Sequence, residues 1–196
     1  MRRFDPKKIP LPKNFQDLDF PKNRKVIFEV GCGVGLHPIK YAQEHPDHFV
    51  VAFERTSEKF EKFQRRLLNH PEIKNITAIQ GDALLWAAAL PWECVDLLFI
   101  LYPNPYPKKS QENLRFYAMP LFAALVNLLK VGGEIILATN ESFYYQGAKE
   151  KLVENFGLKL NEDTEVTPDQ IARTHFEKKY LARGNKCWNL KFQKKS

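Results

Sequence analysis

The chain has 196 residues, 44% of them hydrophobic, enough for one domain that buries a sizeable core. No unbroken apolar run reaches the roughly 18 residues of a membrane span, and Met1-Arg2-Arg3-Phe4-Asp5-Pro6 lacks the apolar stretch of a secretory leader, so a cytoplasmic location is expected. A formal charge of +7 favours a polyanionic partner, and three scattered cysteines, Cys32, Cys94 and Cys187, offer neither a disulfide framework nor a metal site.

Residues 1–25 read as an irregular basic arm. Arg2, Arg3, Lys7, Lys8, Lys13, Lys22, Arg24 and Lys25 stand there among four prolines with little periodicity. One α/β domain is expected over 26–196. An apolar run at about 26–30 reads as a buried strand and passes through Glu29 into Gly31-Cys32-Gly33-Val34-Gly35. Glycines lack the Cβ atoms that keep a backbone away from a ligand, so this turn suits an adenosine-bearing cofactor. The dinucleotide motif places its third glycine one residue later and faces a pyrophosphate, which a carboxylate at position 29 would repel. S-adenosylmethionine (SAM) carries no phosphate, and its ammonium and sulfonium make the same carboxylate attractive. Cys32 reads as a small residue that fits the loop.

A helix follows over 37–45, with Pro38 tolerated in its first turn and His37 read as a helix-start residue near the cofactor's tail. The next strand, 49–54, ends in Glu54, about 20 residues past the glycines, where a strand-end acid accepts from ribose hydroxyls. A helix over 57–69 lines Phe60, Phe63 and Leu67 along one face. The strand 76–80 ends at Gly81-Asp82, where the Asp82 carboxylate or the adjoining Ala83 backbone is placed for an adenine amino group. Acids at three successive strand ends point to SAM.

A short helix at 83–90 is followed by Val95 to Leu101, whose near-continuous apolar character predicts a central strand covered on both faces. A helix centred on 114–130 is expected to stop at Gly132-Gly133 and to be followed by a strand at 134–139. A helix over 141–156 and two late strands near 158–160 and 187–192 complete the count. Alternating strands and helices predict a Rossmann-like, mostly parallel sheet with helices on both faces. Trp86 and Trp92 read as core aromatics. Arg183, Lys186, Lys191, Lys194 and Lys195 form a second basic cluster.

After the fourth strand comes Tyr102-Pro103-Asn104-Pro105-Tyr106-Pro107-Lys108-Lys109, a proline-stiffened loop at the sheet edge where open α/β folds bind ligands. Together with Glu29-x-Gly-x-Gly-x-Gly, Thr139-Asn140 and Thr174-His175-Phe176-Glu177-Lys178-Lys179, it resembles the bacterial tRNA (guanine-N7)-methyltransferase family. The resemblance implies a class I SAM-dependent methyltransferase fold with a seven-stranded sheet and an antiparallel last strand. It also implies SAM as donor and a tRNA guanine as acceptor, with no metal; a monomer or homodimer is expected. Cofactor positions would fall on Glu29, Gly31, Gly33, Gly35, Glu54, Asp82, Ala83 and Asn104, with Asn104 also at the reacting centre. Substrate positions would fall on Tyr106, Lys108, Asn140, Thr174 and Glu177, with Tyr106 and Phe176 as the stacking aromatics.

The departures from the family are specific. Its loop reads Pro-Asp-Pro-Trp followed by Lys-x-Arg-His, whereas this chain has Asn104, Tyr106, Ser110 and Gln111, and Asn140 where the family has Asp. Two other readings follow from them. Asn104-Pro105-Tyr106 is one residue short of the Asn-Pro-Pro-Tyr motif of methyltransferases acting on exocyclic amines, and loss of two acids is compatible with a non-catalytic SAM-fold protein that binds RNA or a partner.

Overall fold

The computed structural model describes Asp5 and residues 8–196. Arg2, Arg3 and Lys7 of the basic arm lie outside the described residues. Seven strands form one sheet: β1 (Lys25–Val30), β2 (His48–Glu54), β3 (Ile76–Gln80), β4 (Val95–Leu101), β5 (Leu129–Thr139), β6 (Lys159–Val166) and β7 (Cys187–Gln193), in the order β3-β2-β1-β4-β5-β7-β6. The first five run parallel, and β7 lies antiparallel between β5 and β6. Chain order reverses between β1 and β4, and that switch point opens a crevice beyond the carboxyl ends of the strands.

The central strands are buried because helices cover both of their faces. Along β1, Val26, Phe28 and Val30 join the large core that holds Trp86, Leu98, Leu125 and Tyr144. Ile27 packs on the opposite face with Ala42, Val50 and Phe99. Alternation then puts Glu29 on the side of Ile27, under α1 (Leu36–Glu44). Nearby, α2 (Ser57–Leu68) lays Phe60 and Phe63 against Ile39 and Ala52. The other face is closed by α3 (Ala83–Ala89), α4 (Phe122–Leu128) and α5 (Ser142–Phe156). Phe15, Leu18 and Phe20 pack on the same core, Phe15 with its ring 5.2 Å from that of Trp86, so this stretch of the basic arm is docked on the domain. No helix among the described residues is long and apolar enough to cross a membrane.

The structure differs from the sequence-based expectation in four places. The helix centred on 114–130 is instead two 3-10 turns, Lys109–Leu114 and Phe116–Ala118, followed by the two turns of α4. Pro120 lacks an N–H and pulls Met119 into an extended conformation, which prevents a single long helix. Gly132-Gly133 makes a bulge inside β5, where a Cβ on Gly133 would stand 2.9 Å from the Lys130 carbonyl oxygen. An unanticipated helix, α6 (His175–Ala182), is capped by Thr174, whose Oγ1 accepts from the Glu177 N–H at 3.0 Å. Trp86 is fully buried, but Trp92 is 59% exposed.

Candidate functional site

The glycine turn is built by backbone geometry. Gly31 and Gly33 have φ of +73° and +61°, a region costly for residues with a Cβ, and added Cβ atoms would meet nothing within 4 Å. The space over these two residues is open to a ligand. Gly35 is different, because its Cβ would collide with the Phe63 ring. Glu54 ties the turn to the end of β2. Its Oε2 accepts from the Gly33 N–H at 2.9 Å and its Oε1 from the Thr56 N–H at 2.7 Å. The Arg66 guanidinium donates to the Val34 carbonyl from the other side.

A cleft of about 500 Å³ runs from this turn across the switch point, within the usual range for a small-molecule site. At one end it is lined by Glu29, Gly31, Gly33, Glu54, Asp82 and Ala83. At the other it is lined by Tyr102, Asn104, Tyr106, Asn140, Thr174 and Phe176. Asp82 caps α3, its Oδ1 accepting from the Leu84 N–H at 3.0 Å, and its other oxygen stands 3.7 Å from Arg55. A carboxylate has about four acceptor positions, so Glu54 and Asp82 retain capacity for ribose and adenine donors. Burial, then the Glu29 and Glu54 carboxylates, push the Cys32 thiol well above its ordinary range. It stays protonated at neutral pH and is a poor nucleophile.

At the far end of the cleft, Tyr102 and Tyr106 adopt positive φ values of 52° and 48°. Asn104 Oδ1 accepts from the Tyr106 N–H at 3.3 Å. Arg115, buried, donates from Nε and Nη2 to the Tyr106 carbonyl at 3.2 and 3.1 Å and from Nη1 to the Tyr117 hydroxyl at 3.1 Å. Its guanidinium also lies 4.7 Å over the Phe143 ring. Asn140 Nδ2 donates to Glu141 at 3.0 Å.

Two of the expected substrate residues are not part of the cleft wall. Lys108 is exposed at the start of a 3-10 turn. Glu177 is 1% exposed and held by Arg173 and Tyr102: Arg173 Nη2 donates to it at 2.7 Å, the Arg173 N–H at 2.8 Å and the Tyr102 hydroxyl at 2.7 Å. Burial raises the Glu177 carboxyl, but the Arg173 guanidinium and these hydrogen bonds outweigh it and hold the group below the ordinary carboxylate value. Neither Arg115 nor Arg173 belongs to the motifs quoted from the sequence. Arg173 could have been found from its four-residue spacing to Glu177 at a helix start; Arg115 carries no such signal.

The second basic cluster is largely neutralised. Lys186 pairs with Glu165 at 3.3 Å, Lys191 with Glu162 at 2.6 Å and Lys194 with Glu93 at 3.3 Å.

A family model described as "Putative methyltransferase" matches residues 23–190. A tRNA (guanine-N(7)-)-methyltransferase of Neisseria meningitidis serogroup C is 30% identical over 181 residues, 91% of this chain and 75% of that protein. The chain belongs to this methyltransferase family. A tRNA (guanine-N(7)-)-methyltransferase of Zymomonas mobilis is 27% identical over 89% of the chain and 77% of its own length, and that of Thermotoga maritima is 26% identical, with 54% of its length covered. Among solved structures, the 16S rRNA methyltransferase KamB superposes with a TM-score of 0.69 at 17% identity, over 95% of this chain and 98% of that one, which shows the class I fold. SAM is the methyl donor, and the cleft fits it: open space over Gly31 and Gly33, strand-end carboxylates and no basic residue in the glycine turn.

Proposed function

We propose that this methyltransferase places its methyl group on N7 of a guanine in tRNA. The observation that supports this most directly is the continuity of the cleft: the glycine turn, Glu54 and Asp82 share one cavity with Asn104, Tyr106, Asn140 and Phe176. SAM, when bound, supplies an electrophilic methyl on a sulfonium. Guanine N7 carries an in-plane lone pair, attacks the methyl carbon as the carbon–sulfur bond breaks, and loses no proton. The product base is a cation. No general base is needed, so the protein's part is alignment and a suitable field.

Tyr106 and Phe176 provide flat faces for a base, and the Asn104 and Asn140 amides present donors and acceptors to its edge. An amide in place of a carboxylate gives up a charged hydrogen bond to the guanine N1–H and amine, worth about 1–3 kcal/mol each. Asn104→Asp and Asn140→Asp are accordingly expected to raise guanine turnover. Arg55 and Lys59 at the cleft, with Lys108 and Lys109 beside the acceptor loop, supply phosphate contacts.

The test is incubation with methyl-labelled SAM and bulk tRNA. Label is expected in the RNA. SAM binding with no label in any RNA would overturn the reading and favour a non-catalytic role.

A further inference from the structure

Glu29, the acid that precedes the glycine turn, does not face the cleft alone. Its Oε2 lies 2.7 Å from His37 Nδ1, and the two side chains are buried, Glu29 3% and His37 7% exposed. His37 sits in the first turn of α1, where Phe99 packs edge-on against its ring at 4.7 Å and Tyr41 lies 5.9 Å away. This contact uses one ring nitrogen. Among the described residues the other, Nε2, has no hydrogen-bond partner, and neither has Glu29 Oε1. The only fully enclosed side-chain nitrogen or oxygen without a partner among those residues is the Tyr144 hydroxyl, so both free atoms reach accessible space. Both residues line the cleft beside Gly31 and Gly33.

We propose that His37 is a donor-binding residue: its Nε2 accepts a hydrogen bond from the α-ammonium of the amino-acid tail of SAM, and Glu29 orients the ring for this. A ring that donates Nδ1–H to a carboxylate carries its lone pair on Nε2, the arrangement that suits an ammonium donor. The inference rests on the assignment of the cleft to SAM. The sequence places both residues near the cofactor, but their contact joins a strand and a helix eight residues apart and leaves no motif.

The test compares binding of S-adenosylhomocysteine, its analogue lacking the α-amino group, and 5′-methylthioadenosine, which lacks the whole amino acid. The wild-type protein is expected to prefer the amine-bearing ligand to the deaminated one by about ten- to hundredfold, the size of one charge-assisted hydrogen bond. His37→Ala should collapse that preference and leave methylthioadenosine affinity within about twofold, which also reports an intact fold. Two shorter amides separate the roles of the ring nitrogens. A Gln oxygen reaches the position of Nε2 and an Asn oxygen only that of Nδ1, so His37→Gln should retain much of the preference and His37→Asn should lose it. An undiminished preference in His37→Ala, or rescue by Asn and not by Gln, would overturn the proposal and leave His37 as a partner of Glu29 only. Failure of the wild-type protein to bind methylthioadenosine or S-adenosylhomocysteine would instead overturn the SAM assignment itself, and the inference with it.

Discussion

Arg115 holds the acceptor loop in its bent form. A guanidinium fork on one carbonyl oxygen fixes direction as well as distance, and here it clamps Tyr106, a residue at positive φ that an unrestrained loop would abandon. Arg115→Ala removes both bonds and the contact with Phe143. It is expected to lower kcat/KM for RNA by about ten- to hundredfold, the size of effect that ångström-scale misplacement produces, while SAM affinity stays near wild type. Paired RNA kinetics and calorimetric SAM titration check this. Neither this clamp nor the Glu29–His37 contact could be read from the sequence, because each joins residues through tertiary packing and leaves no periodic trace. The glycine spacing and the strand-end acids were legible for the opposite reason: each lies at a strand terminus and is positioned by local geometry.

At the scale of elements, α6 links the acceptor end of the cleft to the sheet. Its Thr174 cap and the Arg173–Glu177 pair form one unit, tied to β4 through Tyr102 and to β7 through the 2.7 Å bond from Arg173 Nη1 to Asn189. Because the folded Glu177 carboxyl lies below its ordinary value, the stability it contributes is complete above about pH 4.3 and disappears as pH falls through the lower folded value. Glu177→Gln is expected to cost about 1–3 kcal/mol at pH 7 by leaving Arg173 without its carboxylate, and the gap from wild type should close under acid. Urea denaturation at pH 7 and below pH 4 measures the difference. The segment gives no helical signal in the sequence because Phe176 and Tyr180 alone mark its apolar side, too little for a periodic pattern. The false helix at 114–130 has the converse origin: a mostly apolar run from Phe116 to Leu129 satisfies several patterns, and only the pairing of Leu129 with Val95 shows where the strand begins.

Across the whole molecule, the strands legible in the sequence are those covered on both faces and therefore nearly continuously apolar, as in β1, β2 and β4. Among the described residues the large core nonetheless contains one buried side-chain polar atom without a hydrogen-bond partner, the Tyr144 hydroxyl of α5, beside Tyr117. Tyr144→Phe removes an unpaired polar atom without removing the ring. It is expected to raise stability by about 1 kcal/mol, a gain of about 2–4 °C in Tm by calorimetry. Net charge was a coarser guide than the arrangement of charges. Lys186, Lys191 and Lys194 sit opposite acids, whereas Lys108 and Lys109 make no ion pair among the described residues. Replacing Lys108 and Lys109 with Ala should therefore reduce the slope of log tRNA affinity against log salt by about 1–2, and Lys191→Ala should leave it unchanged.

Whether the cleft aligns a guanine ring nitrogen with the methyl donor is read out by nucleoside mass spectrometry of tRNA after reaction with the protein and SAM. 7-Methylguanosine is the product expected. A nucleoside methylated on an exocyclic amine, with none at N7, would overturn the guanine-N7 assignment and transfer the acceptor loop to the chemistry of the amine-directed enzymes.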